Sequence, residues 1–230
     1  MKTKLCVLAV VALIAWGLKR HYAESRVDDL WWILSPTAQA VHLMTGTVFA
    51  AVPGEGYFSR ERLFLIEKSC AGINFMIAAF AMVAFALLHR VRSATAGAGV
   101  LAVSLLASYA AAVIVNTVRI SIAMWLADHP VTQSTLTAAD VHRLEGIIVY
   151  FGGLMLLHEL VRRADRISVR QLALPLACYY AITLAVPFLN GSAQAGDVFL
   201  RHALVVLLVP LVLIGIVSAI LQIAHRVTAP

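Results

Sequence analysis

Long apolar runs constrain this chain more than any other feature of its sequence. They cover residues 73–88, 98–118, 144–160, 172–189 and 199–223. A helix needs roughly 20 apolar residues to cross the hydrocarbon core of a bilayer. The composition agrees, with 61% hydrophobic and 13% charged residues, whereas soluble domains average about half apolar and a quarter charged. The sequence therefore predicts an all-α, polytopic integral membrane helical bundle.

Two earlier segments are less regular. Residues 5–18 are apolar but short for a span, and Ala15-Trp16-Gly17 suits signal-peptide cleavage. We favour a retained anchor helix, with a signal peptide as the alternative. Residues 30–52 contain Pro36 and paired tryptophans, which favour an interfacial or re-entrant segment. About six transmembrane helices are then expected.

The whole chain, residues 1–230, is expected to form one domain, because no polar stretch is long enough to fold separately. Within it, we expect residues 5–18 to be an anchor or signal-like helix, 73–160 to be the helices that carry any catalytic residues, and 172–223 to be a C-terminal helix pair. No block of basic residues with interleaved aromatics appears, which argues against nucleic-acid binding. The three cysteines show neither CxxC spacing nor a zinc pattern, so no metal or other cofactor is expected.

The loop charges predict the orientation. Arginines follow the apolar runs 73–88 and 144–160, in residues 89–92 and 162–170, whereas loops 127–143 and 190–201 are poor in basic residues. Basic loops stay in the cytoplasm. The chain is thus expected to be a multi-pass protein of the cytoplasmic (inner) membrane, with the start of residues 73–88 facing the periplasm or exterior.

Three polar residues are expected to meet at that outer face. Cys70 precedes one apolar run, Arg119 ends the next and His142 begins the one after. A thiolate is a strong nucleophile, an arginine stabilises anions and a histidine exchanges protons near neutral pH. Together they would suit acyl transfer through a thioester.

Four further residues are candidates for supporting roles at the same face. Gly72 would let a substrate backbone approach closely, and Asn116 would cap or bridge helices. Glu67 is a loop carboxylate that could orient Arg119 or His142, and Asp140 is a carboxylate beside His142.

These residues lie in three short motifs: Cys70-Ala71-Gly72, Asn116-Thr117-Val118-Arg119 and His142-Arg143-Leu144-Glu145-Gly146. In order and placement they resemble the exosortase/archaeosortase family of membrane transpeptidases, which carries C-[AS]-G, N-x-x-R and H-x-x-x-G. The resemblance covers roughly residues 31–160 and is closest to the compact exosortase K-type branch. Typical members of the family have eight helices, and this chain is smaller. It also continues past the motifs with two further helices.

The resemblance implies a cysteine transpeptidase or peptidase. Cys70 would be the nucleophile, Arg119 the stabiliser of the oxyanion or thiolate, and His142 the acid and base. The partners would be membrane lipid and secreted proteins that end in a short motif, a membrane helix and a basic tail. Such an enzyme would cleave near the outer membrane surface and transfer the protein to a surface acceptor.

Other functional classes remain open from the sequence. A non-enzymatic membrane transport or assembly protein would use the same residues structurally at helix ends, although the helices lack the midplane ionisable pair typical of ion pathways. A haem or quinone protein could use some of the eight histidines, but none are paired at mid-membrane positions. A metalloprotease is disfavoured because no HExxH motif is present.

Overall fold

The computed structural model describes residues 2–129, 137–162, 172–189 and 197–228. The helices are α1 (Lys2–Glu24), α2 (Trp31–Thr45), α3 (Ile73–Leu87), α4 (Ala94–Asp128), α5 (Ala138–Arg162), α6 (Ala173–Tyr180), α7 (Val186–Leu189) and α8 (Asp197–Thr228). The strands are β1 (Ala50–Val52), β2 (Gly56–Ser59) and β3 (Phe64–Ile66). A π-helical turn, Ala181–Ala185, joins α6 to α7.

Four helical segments are long and apolar enough to cross a membrane. They are Lys68–Arg90, Ala94–Asp128, Ala139–Arg162 and Phe199–Ile220, while Ala173–Leu189 is apolar but shorter. These helices confirm the predicted helical membrane bundle. Six spans stay a prediction, since the described residues provide four helices of that length.

Helix α3 forms the centre of the bundle. Of its most apolar stretch, 67% is buried, compared with 11% for α8, and it packs against α1, α4, α5 and α6. Phe80 and Met82 are completely enclosed. A helix that is apolar on every side belongs in such a core, whereas the exposed leucines of α8 would face lipid.

Contacts along α1 define the two ends of the bundle. Lys19 Nζ donates a 2.7 Å hydrogen bond to Asn74 Oδ1 at the start of α3. Near its other end, Val7 lies against Gly97 at the start of α4. Helix α1 therefore runs antiparallel to α3 over the same thickness. We call the end where α3 begins the Cys70 end, and the other the opposite end.

The segment predicted as interfacial or re-entrant folds as helix α2 followed by strand β1. Helix α2 lies along α4, where Tyr109 Oη donates to the Trp32 carbonyl at 2.8 Å and Ser121 Oγ to Met44 Sδ at 3.6 Å.

The sheet that follows α2 is antiparallel, in the order β1-β2-β3. The sequence analysis did not anticipate it, so the fold is helical with a small added sheet rather than purely α. Strands of three or four residues are too short to give a recognisable period-two pattern.

Helix α4 is longer than the apolar run predicted. Its 35 residues span about 52 Å at 1.5 Å per residue, well beyond a hydrocarbon core of about 30 Å. Arg119 does not end this helix, which continues to Asp128 and there pairs with Arg62 of the β2–β3 loop. Arg119 therefore lies within the helix, and the residues beyond it, 120–128, are mostly apolar.

The contact between α4 and α5 can be tested with adjacent glycines. A Cβ atom on Gly153 would lie 2.7 and 2.8 Å from the two methyl carbons of Val115, whereas a Cβ on Gly152 would meet nothing within 4 Å. We expect Gly153→Ala to lower the free energy of unfolding by about 1–3 kcal/mol through overpacking, with a lower Tm in detergent. Gly152→Ala is the matched control and should leave Tm unchanged or raised; equal effects would contradict this packing.

Candidate functional site

Cys70 lies in a tight turn that precedes α3. The turn is a 3-10 helix, Lys68–Ala71, and Gly72 follows it with a φ of +67°. The Cys70 amide donates to the Glu67 carbonyl at 2.9 Å, and the half-buried thiol is 3.8 Å from Ser69 Oγ. The thiol is thus held just before the first turn of α3. This agrees with the sequence, in which Cys70 precedes the apolar run 73–88.

Asn116 ties this turn to the neighbouring helices. Its side chain is fully buried, and its amide Nδ2 donates to the Cys70 carbonyl. Its Oδ1 accepts a hydrogen bond of 2.9 Å from the Tyr150 hydroxyl of α5. Buried amides must be hydrogen-bonded to avoid a desolvation penalty. The pair of bonds therefore fixes the Cys70 turn, α4 and α5 relative to one another.

Gly72 is required by this arrangement. A Cβ on Gly72 would lie 3.2 Å from Asn116 Cγ and 3.4 Å from its Nδ2, and positive φ values favour glycine in any case. The sequence analysis assigned Gly72 to the close approach of a substrate backbone. In the structure, the Asn116 side chain occupies that approach.

Arg119 lies one helical turn beyond Asn116 on α4. Its side chain is only 11% exposed, and its Nη2 donates to His142 Nε2 at 2.8 Å. The guanidinium stacks over the Tyr150 ring, 5.3 Å from its centroid. A Cβ on Gly146 would lie 3.2 Å from Arg119 Nε, so this glycine lets the arginine lie flat against α5.

The imidazole of His142 projects from the first turns of α5 and is 55% exposed. Because Nε2 accepts from Arg119, the neutral ring carries its proton on Nδ1. No hydrogen bond joins the Cys70 thiol to Arg119 or His142 within the described part of the chain. The structure thus pairs two of the three predicted residues directly, and Asn116 links the third through its backbone.

Glu145 is the site residue that the sequence analysis did not single out. Its Oε2 lies 3.8 Å from Arg119 Nε and 3.7 Å from His142 Nδ1, and its side chain is 5% exposed. Among the described residues, neither carboxylate oxygen has a hydrogen-bond partner. The sequence spacing could have identified Glu145. Residues three apart on a helix share a face, which places Glu145 beside His142.

The two predicted supporting carboxylates have other contacts. Asp140 Oδ2 accepts from the Thr137 hydroxyl at 2.6 Å and from the Thr137 amide at 3.2 Å, while its own amide donates back to Thr137 Oγ1. This reciprocal pattern caps the start of α5. Glu67 Oε1 accepts from Ser69 Oγ at 2.7 Å, so it reaches the thiol only through that serine.

A cavity of about 150 Å³ lies beside the Cys70 turn. Ser69, Gly72 and Tyr150 line it, together with Tyr22 of α1 and Thr183 of the π-helical turn. Burial raises the pKa of the Tyr22 hydroxyl above its usual value, and the nearby Glu67 carboxylate raises it further. The protonated Tyr22 hydroxyl donates to the Lys68 carbonyl of the turn at 3.4 Å.

Within the described ranges, no group of three or more His, Cys, Asp or Glu side chains could hold a metal ion. The Cys70 end contains a half-buried thiol, a fixed guanidinium, an accessible imidazole and a buried carboxylate. Such a set can supply a nucleophile, an anion stabiliser and a proton carrier.

Comparison with protein-family models, curated protein sequences and solved structures finds no match to this chain.

The fit of Asn116 against Gly72 can be tested against a second glycine with a similar backbone. Gly46 has a φ of +75° with nothing within 4 Å of a Cβ, whereas Gly72 faces Asn116. Alanine at either position costs about 1–2 kcal/mol for the left-handed conformation. Hydrogen bonds to the Cys70 carbonyl and from Tyr150 hold Asn116 in place. We therefore expect Gly72→Ala to lower the free energy of unfolding by about 1–3 kcal/mol more than Gly46→Ala, measured as a lower Tm. Equal decreases in Tm for the two variants would show that the contact between position 72 and Asn116 does not contribute to stability.

Proposed function

We propose that this chain is a membrane cysteine transpeptidase or peptidase of the exosortase type. The observation that carries the proposal is the connection between the three motifs: Asn116 bonds the Cys70 turn, and Arg119 bonds His142. Both glycines of the motifs, Gly72 and Gly146, lie where a side chain would crowd Asn116 or Arg119. The motif residues thus have a common physical reason to occur together.

In the proposed reaction, Cys70 attacks the carbonyl carbon of a peptide bond. Its thiol proton passes to His142, a C–S bond forms and the carbonyl electron pair moves to oxygen. When the tetrahedral intermediate collapses, the C–N bond breaks and the leaving amine takes the proton from His142. A thioester remains, which an acceptor amine or water attacks to release Cys70.

Arg119 has two positions in this scheme. At rest its guanidinium donates to His142 Nε2, which occupies the lone pair that would accept a proton. When a tetrahedral oxyanion forms, the guanidinium turns to it, because a charged acceptor makes a stronger hydrogen bond than a neutral ring. The lone pair of His142 is then free to carry the proton.

Glu145 acts through His142 as a positioning residue. Its carboxylate lies 3.7 Å from His142 Nδ1, close enough to approach the Nδ1–H when the ring becomes charged. A buried carboxylate without a hydrogen bond is costly in the resting state, and an imidazolium beside it would offset that cost.

Substrates would be secreted proteins with a C-terminal motif, a membrane helix and a basic tail, processed at the outer face of the cytoplasmic membrane. The charge distribution supports that orientation. At the Cys70 end, Arg20 pairs with Glu24, and Arg62 with Asp128. At the opposite end, Arg90 and Arg92 follow α3 and Arg162 ends α5, which suits a cytoplasmic face, whereas Lys19 and Arg20 lie at the Cys70 end against this rule.

The proposal is tested by substituting the three principal residues in cells that process such signals. Cys70→Ser, Arg119→Ala and His142→Ala should each abolish cleavage of the C-terminal signal while the protein still inserts, as measured by mass spectrometry of secreted C-terminal peptides. Cys6→Ser and His129→Ala are matched controls outside the site and should leave cleavage intact. Full cleavage by the Cys70→Ser protein would refute the proposal.

Glu145→Gln keeps the shape of the side chain and removes its charge. We expect kcat to fall about 10²-fold or more, in the range of general acid–base contributions, with little change in KM, whereas Glu145→Asp should recover part of the rate. Glu67→Gln is the control, because it removes another carboxylate at the Cys70 end. A purely structural role would instead lower Tm in Glu145→Gln without separating kcat from KM.

A further inference from the structure

A second cluster of basic side chains lies at the opposite end of the bundle. His89, Arg90, His158 and Arg162 line a cavity of about 540 Å³ there, a volume typical of small-molecule sites. Apolar side chains of α3, α5 and α6 complete the wall, among them Leu87 and Leu174. The cavity lies far along α3 and α5 from Cys70, so it is separate from the site described above.

His158 is the buried polar group of this cavity. It is 2% exposed, and its Nδ1 has no hydrogen-bond partner in the described part of the chain. The nearest carboxylate oxygen, Glu159 Oε1, is 3.6 Å away and is equally without a partner there. Buried groups of this kind normally bind something, so a ligand that hydrogen-bonds His158 would remove an energetic penalty.

The cavity is strongly positive. Arg90 and Arg162 are exposed, and within the described ranges neither forms an ion pair. His89 donates from Nδ1 to the Ala86 carbonyl at 2.9 Å, so Nε2 of the neutral ring is an acceptor and the arginines supply the donors for an anion. Glu159 supplies a single negative charge against two permanent guanidinium charges. An anion is therefore the ligand class that the cavity favours.

We propose that this cavity binds a phosphate group, that of an anionic phospholipid headgroup. Arginine guanidinium groups bind phosphate with two parallel hydrogen bonds, and two arginines are present. The cavity lies where the membrane-crossing segments Lys68–Arg90 and Ala139–Arg162 end, which is the level of the headgroups. Basic pockets between transmembrane helices on the cytoplasmic side are suited to such headgroups, and the apolar wall would accommodate the start of the acyl chains.

The test uses the full-length purified protein, offered equal amounts of phosphatidylglycerol and phosphatidylcholine, with retained lipid counted by native mass spectrometry. The wild-type protein should retain phosphatidylglycerol preferentially. Arg90→Gln/Arg162→Gln should reduce that preference about tenfold or more, since a hydrogen bond to a charged group contributes enough for a tenfold change in affinity. Arg92→Gln is the matched control: it removes one exposed arginine from the same loop but not from the cavity wall, and should change the preference less than about twofold.

Adding inorganic phosphate alone identifies the source of the phosphate group. If it displaces no lipid and does not raise Tm, the lipid headgroup is the ligand. If it raises the Tm of the wild-type protein but not of the double variant, the cavity binds phosphate and the lipid assignment is wrong. Equal losses in Arg92→Gln and the double variant, or no lipid preference in the wild type, would overturn the proposal. The variants change exposed residues, and their Tm without added lipid checks that they fold.

Discussion

The close approach of α4 to its two neighbours at Gly72 and Gly146 is the contact on which the candidate site depends. Asn116 occupies the space that a side chain at Gly72 would fill, and Arg119 the space at Gly146. Since these two polar residues lie one turn apart on α4, a single helix face contacts both the Cys70 turn and α5. The rest of the site depends on this close packing of α4 against the Cys70 turn and α5.

Polar groups in such a bundle have few partners, because neither lipid nor packed helices offer hydrogen bonds. The chain meets this constraint at some positions and not at others. Around Asn116 and Tyr150, the buried groups satisfy one another. Glu145 at the Cys70 end and His158 at the opposite end are buried without a hydrogen bond among the described residues. Unsatisfied groups cost stability, so both are places where we assign a functional partner.

The sequence predicted the helical membrane architecture because apolar run length depends on local composition alone. It also identified the residues that α4 and α5 bring together, since Arg119 and His142 flank neighbouring runs. It missed the sheet, whose strands are too short for a periodic signal, and the continuation of α4 past Arg119. It named Asp140 and not Glu145, although Glu145 is three residues after His142 and such a spacing places both side chains on one helix face.

The central claim is that Cys70 is a nucleophile exposed at the outer face of the membrane. It is tested most directly by labelling intact cells with a membrane-impermeant maleimide, using a Cys6→Ser/Cys178→Ser protein so that Cys70 is the only thiol. We expect labelling without opening the membrane, and slower labelling in Arg119→Gln, because a nearby positive charge favours the reactive thiolate. Labelling only after the membrane is opened, at a rate that Arg119→Gln does not change, would contradict both the orientation and the proposed role of the cysteine.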